Sequence, residues 1–217
     1  MIKRSLFKYK ENTIDNNQQW YVAQAILHIK DHLFKKAQEQ AELKAEYTMI
    51  SDQAGNYRNN SHKYQKQLMG TLAEIYTQQY IQEILNENYL QSKWIVERYD
   101  DVRTDQFKSP KGEYDLRIYA PKENQKSFFI EIRSSITWNR SFIDGLNQFD
   151  IIGPYLSQFK SEEKLNDIYI RPLYEYTNYQ EKKYEDLKFI DYLNEGLIKL
   201  YIVAACSKKR LQSHGYI

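Results

Sequence analysis

Two short segments near the middle of the chain, Gly112 to Tyr119 and Ser127 to Ser135, alternate apolar and charged residues with the period of a β-strand, and only Ala120 to Lys126 separates them. Successive side chains of a strand point to opposite faces. Asp115, Arg117 and Tyr119 therefore share one side of the first segment, and Tyr114, Leu116 and Ile118 the other. In the second, Phe128, Ile130 and Ile132 make an apolar face, while Glu131 and Arg133 stand opposite beside Phe129. So short a link favours an antiparallel hairpin. Strands about 4.8 Å apart put Asp115 and Glu131 on facing positions, within reach of one divalent ion bound through oxygen at about 2.1 Å. Charge inside runs otherwise fit for burial needs a partner, and a shared ion is one.

Around this hairpin the pattern changes to helical. From Asn16 to Tyr47 there is no Gly or Pro, and Trp20, Ala23, Leu27, Phe34, Ala37 and Ala41 recur at spacings of three, four or seven, which predicts one long amphipathic helix. Turn formers from Ser51 to Ser61 interrupt it. A second helix is expected from Ser61 as N-cap, with an apolar stripe of Tyr64, Leu68, Leu72 and Ile75 and an adjoining polar stripe that includes Gly70 and Glu74. Further on, the sequence predicts strands at Trp94 to Tyr99, Asp167 to Tyr176 and Leu197 to Ala205. It predicts helices at Ser141 to Ile152, stopped by Gly153-Pro154, and at Tyr184 to Asn194, ended by Gly196. The expected division is an N-terminal helical extension over 1–60 and a core over 61–217.

Composition narrows the class. With 41% hydrophobic and 28% charged residues but only 7 Gly and 4 Pro in 217, the chain is globular and long enough for one substantial core. The net charge of +2 lacks the strongly basic signature of many nucleic-acid binders, so any basic surface is local. A lone cysteine, Cys206, excludes intramolecular disulfides and Cys-based zinc sites and reads as a small core residue. The charged Met1 to Lys10 stretch and the absence of a long apolar run point to a cytoplasmic protein with no membrane span.

Hydrolysis of a phosphodiester needs an activated water and charge neutralisation on the phosphate, and a carboxylate-held Mg²⁺ provides both. Asp115 and Glu131 have the chemistry to hold it, and Arg133, on the same face as Glu131, can stabilise the phosphate by charge-assisted hydrogen bonds. Glu74 is the candidate for a third carboxylate, because Gly70 one turn earlier leaves the backbone room to approach a ligand or strand.

The helix with Gly70-x-x-x-Glu74, the strand with Asp115 and the adjacent strand with Glu131-Ile132-Arg133 together resemble the PD-(D/E)XK, or restriction-endonuclease-like, nuclease superfamily. The resemblance covers roughly Ser61 to Ile152. It implies an α/β (α+β) fold, a central mixed β-sheet flanked by helices, and Mg²⁺-dependent cleavage of DNA, with Mn²⁺ able to substitute. Residue by residue, Asp115 and Glu131 would bind metal, Glu74 would assist with metal or water, and Arg133 would take the place usually held by lysine. Tyr114 stands where the name-giving proline would be. Arginine keeps its proton at ordinary pH and orients water or binds phosphate rather than acting as a base. Lys122 or Lys126 is then the candidate for a migrated amine.

Ser135, Asn139 and Arg140, just after the motif strand, are the expected DNA contacts, and the Ser207-Lys-Lys-Arg210 run is a further basic stretch. His28 and His32 have the i, i+4 spacing of a metal pair but lack the rest of that motif, so a solvated helix face is expected. The leading expectation is a metal-dependent DNA endonuclease of a restriction, mobile-element or defence type, acting as a homodimer so that two copies of one site cut both strands. The alternative is a catalytically inactive protein of the same fold that binds nucleic acid or assembles with a partner. A third reading is an interaction protein that oligomerises through its long N-terminal helix.

Overall fold

Leu68, Leu72 and Ile75 recur with the helical period, and all are buried along the helix α2 (Asn60–Glu87), with Tyr64 packed beside them. Asn59, rather than Ser61, caps it by accepting the His62 N–H at 2.8 Å. The computed structural model describes residues 7–14, 18–49, 57–108, 114–122, 126–148 and 166–213.

Among the described residues eight strands form one mixed sheet: β1 (Phe7–Ile14), β2 (Gln18–Ala25), β3 (Ile95–Arg98), β4 (Leu116–Tyr119), β5 (Ser127–Ile132), β6 (Ser135–Ile136), β7 (Ile168–Tyr176) and β8 (Ile198–Ser207). Their order is β1-β2-β8-β7-β5-β4-β3, with β6 also paired to β7. β7 runs parallel to β5 and β6, and every other pairing is antiparallel. Alternation along β8 sends Leu200 and Ile202 into the larger core with α2, and Tyr201 and Val203 into a smaller one on the opposite face. The larger core also takes Phe34 and Ala37 of α1 (His32–Tyr47) and Phe189 and Leu193 of α5 (Phe189–Asn194). The smaller core takes Phe142 and Leu146 of α4 (Phe142–Asn147). Helices thus cover both faces. Two short helices, α3 (Tyr99–Val102) and α6 (Lys208–Ser213), follow β3 and β8. Tyr174 of β7 fastens α2 to the sheet by donating its hydroxyl to the Met69 carbonyl at 2.8 Å.

The long helix expected over 16–47 is confined to α1, which starts where Asp31 accepts the Phe34 N–H at 2.9 Å. Residues 18–25 are a strand instead. Val22 packs into the smaller core while Ala23 and Ala25 pack into the larger, so both faces of β2 are apolar and the period of two is hidden. Pairing with β8 through Ala23↔Ile202 overrides the helical spacing. Residues 1–60 therefore contribute strands as well as a helix, and these strands belong to the same sheet as the rest.

The helix expected over 184–194 shortens to α5, preceded by a 3₁₀ turn at Asp186–Lys188, and Gly196 follows with φ of +73°, a conformation glycine adopts without strain. Of the helix expected over 141–152, α4 is capped by Ser141, and positions 149–165, including the Gly153-Pro154 stop, lie outside the described residues. Cys206 sits half-buried near the end of β8, where the strand leaves the core. His28 precedes α1 and is exposed, as is His32, so the two do not share a helix face.

Candidate active site at the end of the hairpin

The antiparallel pairing Leu116↔Ile130 to Tyr119↔Ser127 realises the expected hairpin. At its open end the Asp115 N–H donates to the Ile130 carbonyl at 3.1 Å, and the Asp115 carboxylate accepts the Ile132 N–H at 2.6 Å. Glu131 accepts from Arg133 Nε at 3.3 Å and from Asn166 Nδ2 at 3.1 Å. The Arg133 N–H donates to the Ile170 carbonyl at 3.0 Å, which pins the end of β5 to β7. Asp115, Glu131 and Arg133 are each partly exposed.

Glu74 of α2 and Asp115 line one cleft of about 340 Å³ with Lys44, Gln67, Tyr99 and Asp100. Lys44 comes from α1. Its ammonium bonds Asp100, stands 3.4 Å from both Glu74 carboxylate oxygens and donates to Thr71 Oγ1 at 3.2 Å. The fully buried Arg98, at the end of β3, reaches Glu74 at 3.2 Å and Asp101 at 2.6 Å, and also bonds Gln40 of α1. Arg103 bonds Asp105 at 2.7 Å and Asp100 at 3.5 Å, and its guanidinium lies 4.7 Å from the centroid of the Phe107 ring. Gln106 and Phe107, on the loop behind it, have φ of +52° and +64°, a strained pair for residues with side chains.

The charges perturb one another. Burial, then the nearby carboxylates of Glu74 and Glu131, push the Asp115 carboxyl well above its ordinary range against the Ile132 N–H and Lys44. Burial also raises Glu74, with Lys44 and Arg98 opposing. Burial would raise Asp100 too, but Lys44 and Arg98 outweigh it and hold Asp100 low. The Lys44 ammonium is lowered by burial and raised by Glu74 and Asp100, and the raising effect prevails, so it carries its proton at neutral pH. Glu74 and Glu131 thus both oppose the ionisation of Asp115, which Lys44 favours.

Among the described residues no three His, Cys, Asp or Glu side chains stand arranged to hold a metal ion. Glu74 is engaged by Lys44 and Arg98 and Glu131 by Arg133, and Asp115 and Glu131 are the two carboxylates at the open hairpin end. Two carboxylates with water and a substrate phosphate are a donor set that Mg²⁺ accepts.

Lys122 and Lys126 lie at the other end of the hairpin, at least about 17 Å of strand from Asp115, and Lys126 lies over the Phe128 ring. The amine near the carboxylates is Lys44, which the sequence reading missed. The Gly70 position is open rather than a close approach: a Cβ there would meet no described atom within 4 Å. Of the expected DNA contacts, Ser135 accepts from Arg171 Nη2 at 2.7 Å, Asn139 accepts the Tyr184 N–H at 3.2 Å, and the exposed Arg140 bonds Gln148. Lys208 to Arg210 open α6.

No protein-family model matches the chain, and no solved structure matches it. It is similar to an uncharacterized protein of Methanocaldococcus jannaschii, 27% identical over 207 residues that cover 86% of this chain and 72% of that protein. No described helix is long and apolar enough to cross a membrane.

Proposed function

We propose that the chain is a metal-dependent DNA endonuclease of the restriction-endonuclease-like kind. The observation that carries this reading is the convergence on one cleft of Glu74, Asp115 and a protonated Lys44, beside Glu131 and Arg133 at the same hairpin end. In this reading Asp115 and Glu131 hold Mg²⁺, or Mn²⁺, through carboxylate oxygens. When bound, the ion supplies charge neutralisation on the phosphate and a more acidic water.

The chain's own residues do the rest. Arg133 leaves Glu131 for a non-bridging phosphate oxygen and stabilises the charge that develops there as water attacks phosphorus. Lys44 is the proton donor: it stabilises the phosphate or gives its proton toward the departing oxygen, a role Arg133 cannot take. Glu74, bonded to Lys44 and Arg98, fixes the ammonium at the cleft and assists metal and water from its edge. Arg140, Asn139 and Ser135 contact the DNA backbone, and two copies of the chain act on the two strands.

Cleavage of plasmid, phage-genomic and single-stranded DNA with Mg²⁺ or Mn²⁺ tests this. Wild type is expected to cut and Glu131→Ala not to cut while still binding. A wild type that binds DNA without cutting in either metal would replace the reading with a non-catalytic nucleic-acid binder. The Arg133–Glu131 contact, which ties up the usual lysine position, favours that second reading.

A further inference from the structure

We infer that a second cleft, between α2 and the segment joining β6 to α4, holds one unstacked base of a DNA strand with Trp138 as its stacking surface. This rests on the nuclease reading and narrows its substrate to DNA with an unpaired base beside the cut.

The cleft encloses about 310 Å³, lined by Lys66, Met69, Gly70, Ser134, Ser135 and Trp138 among others. It adjoins the carboxylate site on two elements. Ser134 directly follows Arg133, and Gly70 lies one turn before Glu74, about 6 Å along the helix.

Trp138 is an exposed aromatic (44%) held outward at a backbone cost. Its φ of +58° is an outlier for so bulky a residue. The neighbours enforce it. The Thr137 N–H donates to the Tyr174 carbonyl at 2.9 Å, Thr137 Oγ1 accepts the Tyr176 N–H at 3.2 Å, and Asn139 accepts the Tyr184 N–H at 3.2 Å. Tyr184 packs against the indole at a right angle, with centroids 5.4 Å apart at 87°, and props the ring. The Lys66 ammonium lies over one face of the ring, 5.3 Å from its centroid, and is also 2.9 Å from Asp186, which leaves the other face for a stacked base.

A planar aromatic surface with an ammonium over one face, hydroxyls at the rim and an open wall at Gly70 suit a flat base attached to an anionic phosphate. The position next to Arg133 would let the following phosphate enter the carboxylate cleft.

The test uses the full chain and a single-stranded oligonucleotide carrying 2-aminopurine, in Ca²⁺ buffer, with affinity read by anisotropy and base stacking by probe fluorescence. The probe is expected to change on binding. Trp138→Ala should weaken binding about 10-fold, the scale of one lost base–aromatic stack, and Trp138→Phe should retain most of it. Gly70→Leu replaces a helix-interior glycine by a strong helix former, so it folds at least as well as wild type while filling the cleft and abolishing the probe signal. Wild-type affinity and signal in both Trp138→Ala and Gly70→Leu, or no oligonucleotide binding by wild type, overturns the inference. Cleavage with Mg²⁺ is scored separately. Stacking without cutting keeps the base pocket and removes the nuclease reading, whereas cutting that is indifferent to Trp138 does the reverse.

Discussion

The Asp115 carboxylate accepts the backbone N–H of Ile132 at 2.6 Å, so the residue just before β4 is fastened to the last residue of β5, the centre of the Glu131-Ile132-Arg133 triplet. That bond fastens the Asp115 side chain to the backbone of the neighbouring strand, one residue beyond Glu131. It also holds Asp115 beside other anions although burial and charge both oppose its ionisation.

Asp115→Asn is therefore expected to stabilise the metal-free protein and abolish cleavage. The amide oxygen can still accept the Ile132 N–H, and the repulsion is gone. Because the folded-state pKa is raised, folding favours the protonated carboxyl. The wild-type deficit is absent below the ordinary value of 3.8, grows as pH rises through the raised folded value, and is constant above it. Melting temperatures of the two proteins from pH 4 to 8 should diverge upward, and adding Mg²⁺ should raise only the wild type. A mutant less stable than wild type at pH 8 would contradict the electrostatics described.

Lys44→Met removes the ammonium that bonds Glu74 and Asp100. Breaking a largely buried pair leaves charge uncompensated, at a cost of about 3 kcal/mol. Assayed well below its melting point, the variant is expected to lose at least about 100-fold in rate, the size of effect seen when one preorganised donor is removed. Lys44→Arg should recover stability more than rate. A folded Lys44→Met that cuts at the wild-type rate would make the residue purely structural.

Arg98→Met should cost about 3–5 kcal/mol, since Glu74 and Asp101 lose a fully buried guanidinium. Adding Glu74→Gln is expected to return part of that loss, because the remaining carboxyl no longer needs a cation. Urea denaturation of the single and double variants measures the coupling, and strict additivity would show that the 3.2 Å contact contributes nothing.

Gly70→Ala is expected to stabilise by about 1 kcal/mol through helix propensity, since a methyl there meets nothing within 4 Å. Thermal unfolding checks it, and a loss of stability would mean that α2 needs the glycine for its backbone.

The hairpin was legible because its alternation and short link leave few alternatives, and with it came Asp115, Glu131 and Arg133. Glu74 was legible through its place on the helix stripe, and it lines the same cleft as Asp115. Lys44 and Arg98 were not. Lys44 meets Glu74 across 30 positions of sequence, and nothing local marks one lysine of an exposed-looking helix as the one that turns inward. Nor was β2, because a strand buried on both faces loses its alternation, and its alanines suit a helix equally well. Trp138 carries no sequence signal for its left-handed backbone, which is imposed by hydrogen bonds to β7 and to Tyr184.

The buried Arg98 ties Gln40, Glu74 and Asp101 to one guanidinium, and Lys44 ties Glu74 to Asp100. Over evolutionary time Arg98, Glu74, Lys44 and Asp100 are expected to change together, since replacing one of them leaves a buried partner charge short of a counterion. A relative that has lost Arg98 is expected to have also neutralised Glu74, and comparing homologous sequences at these positions would reveal whether they drift together.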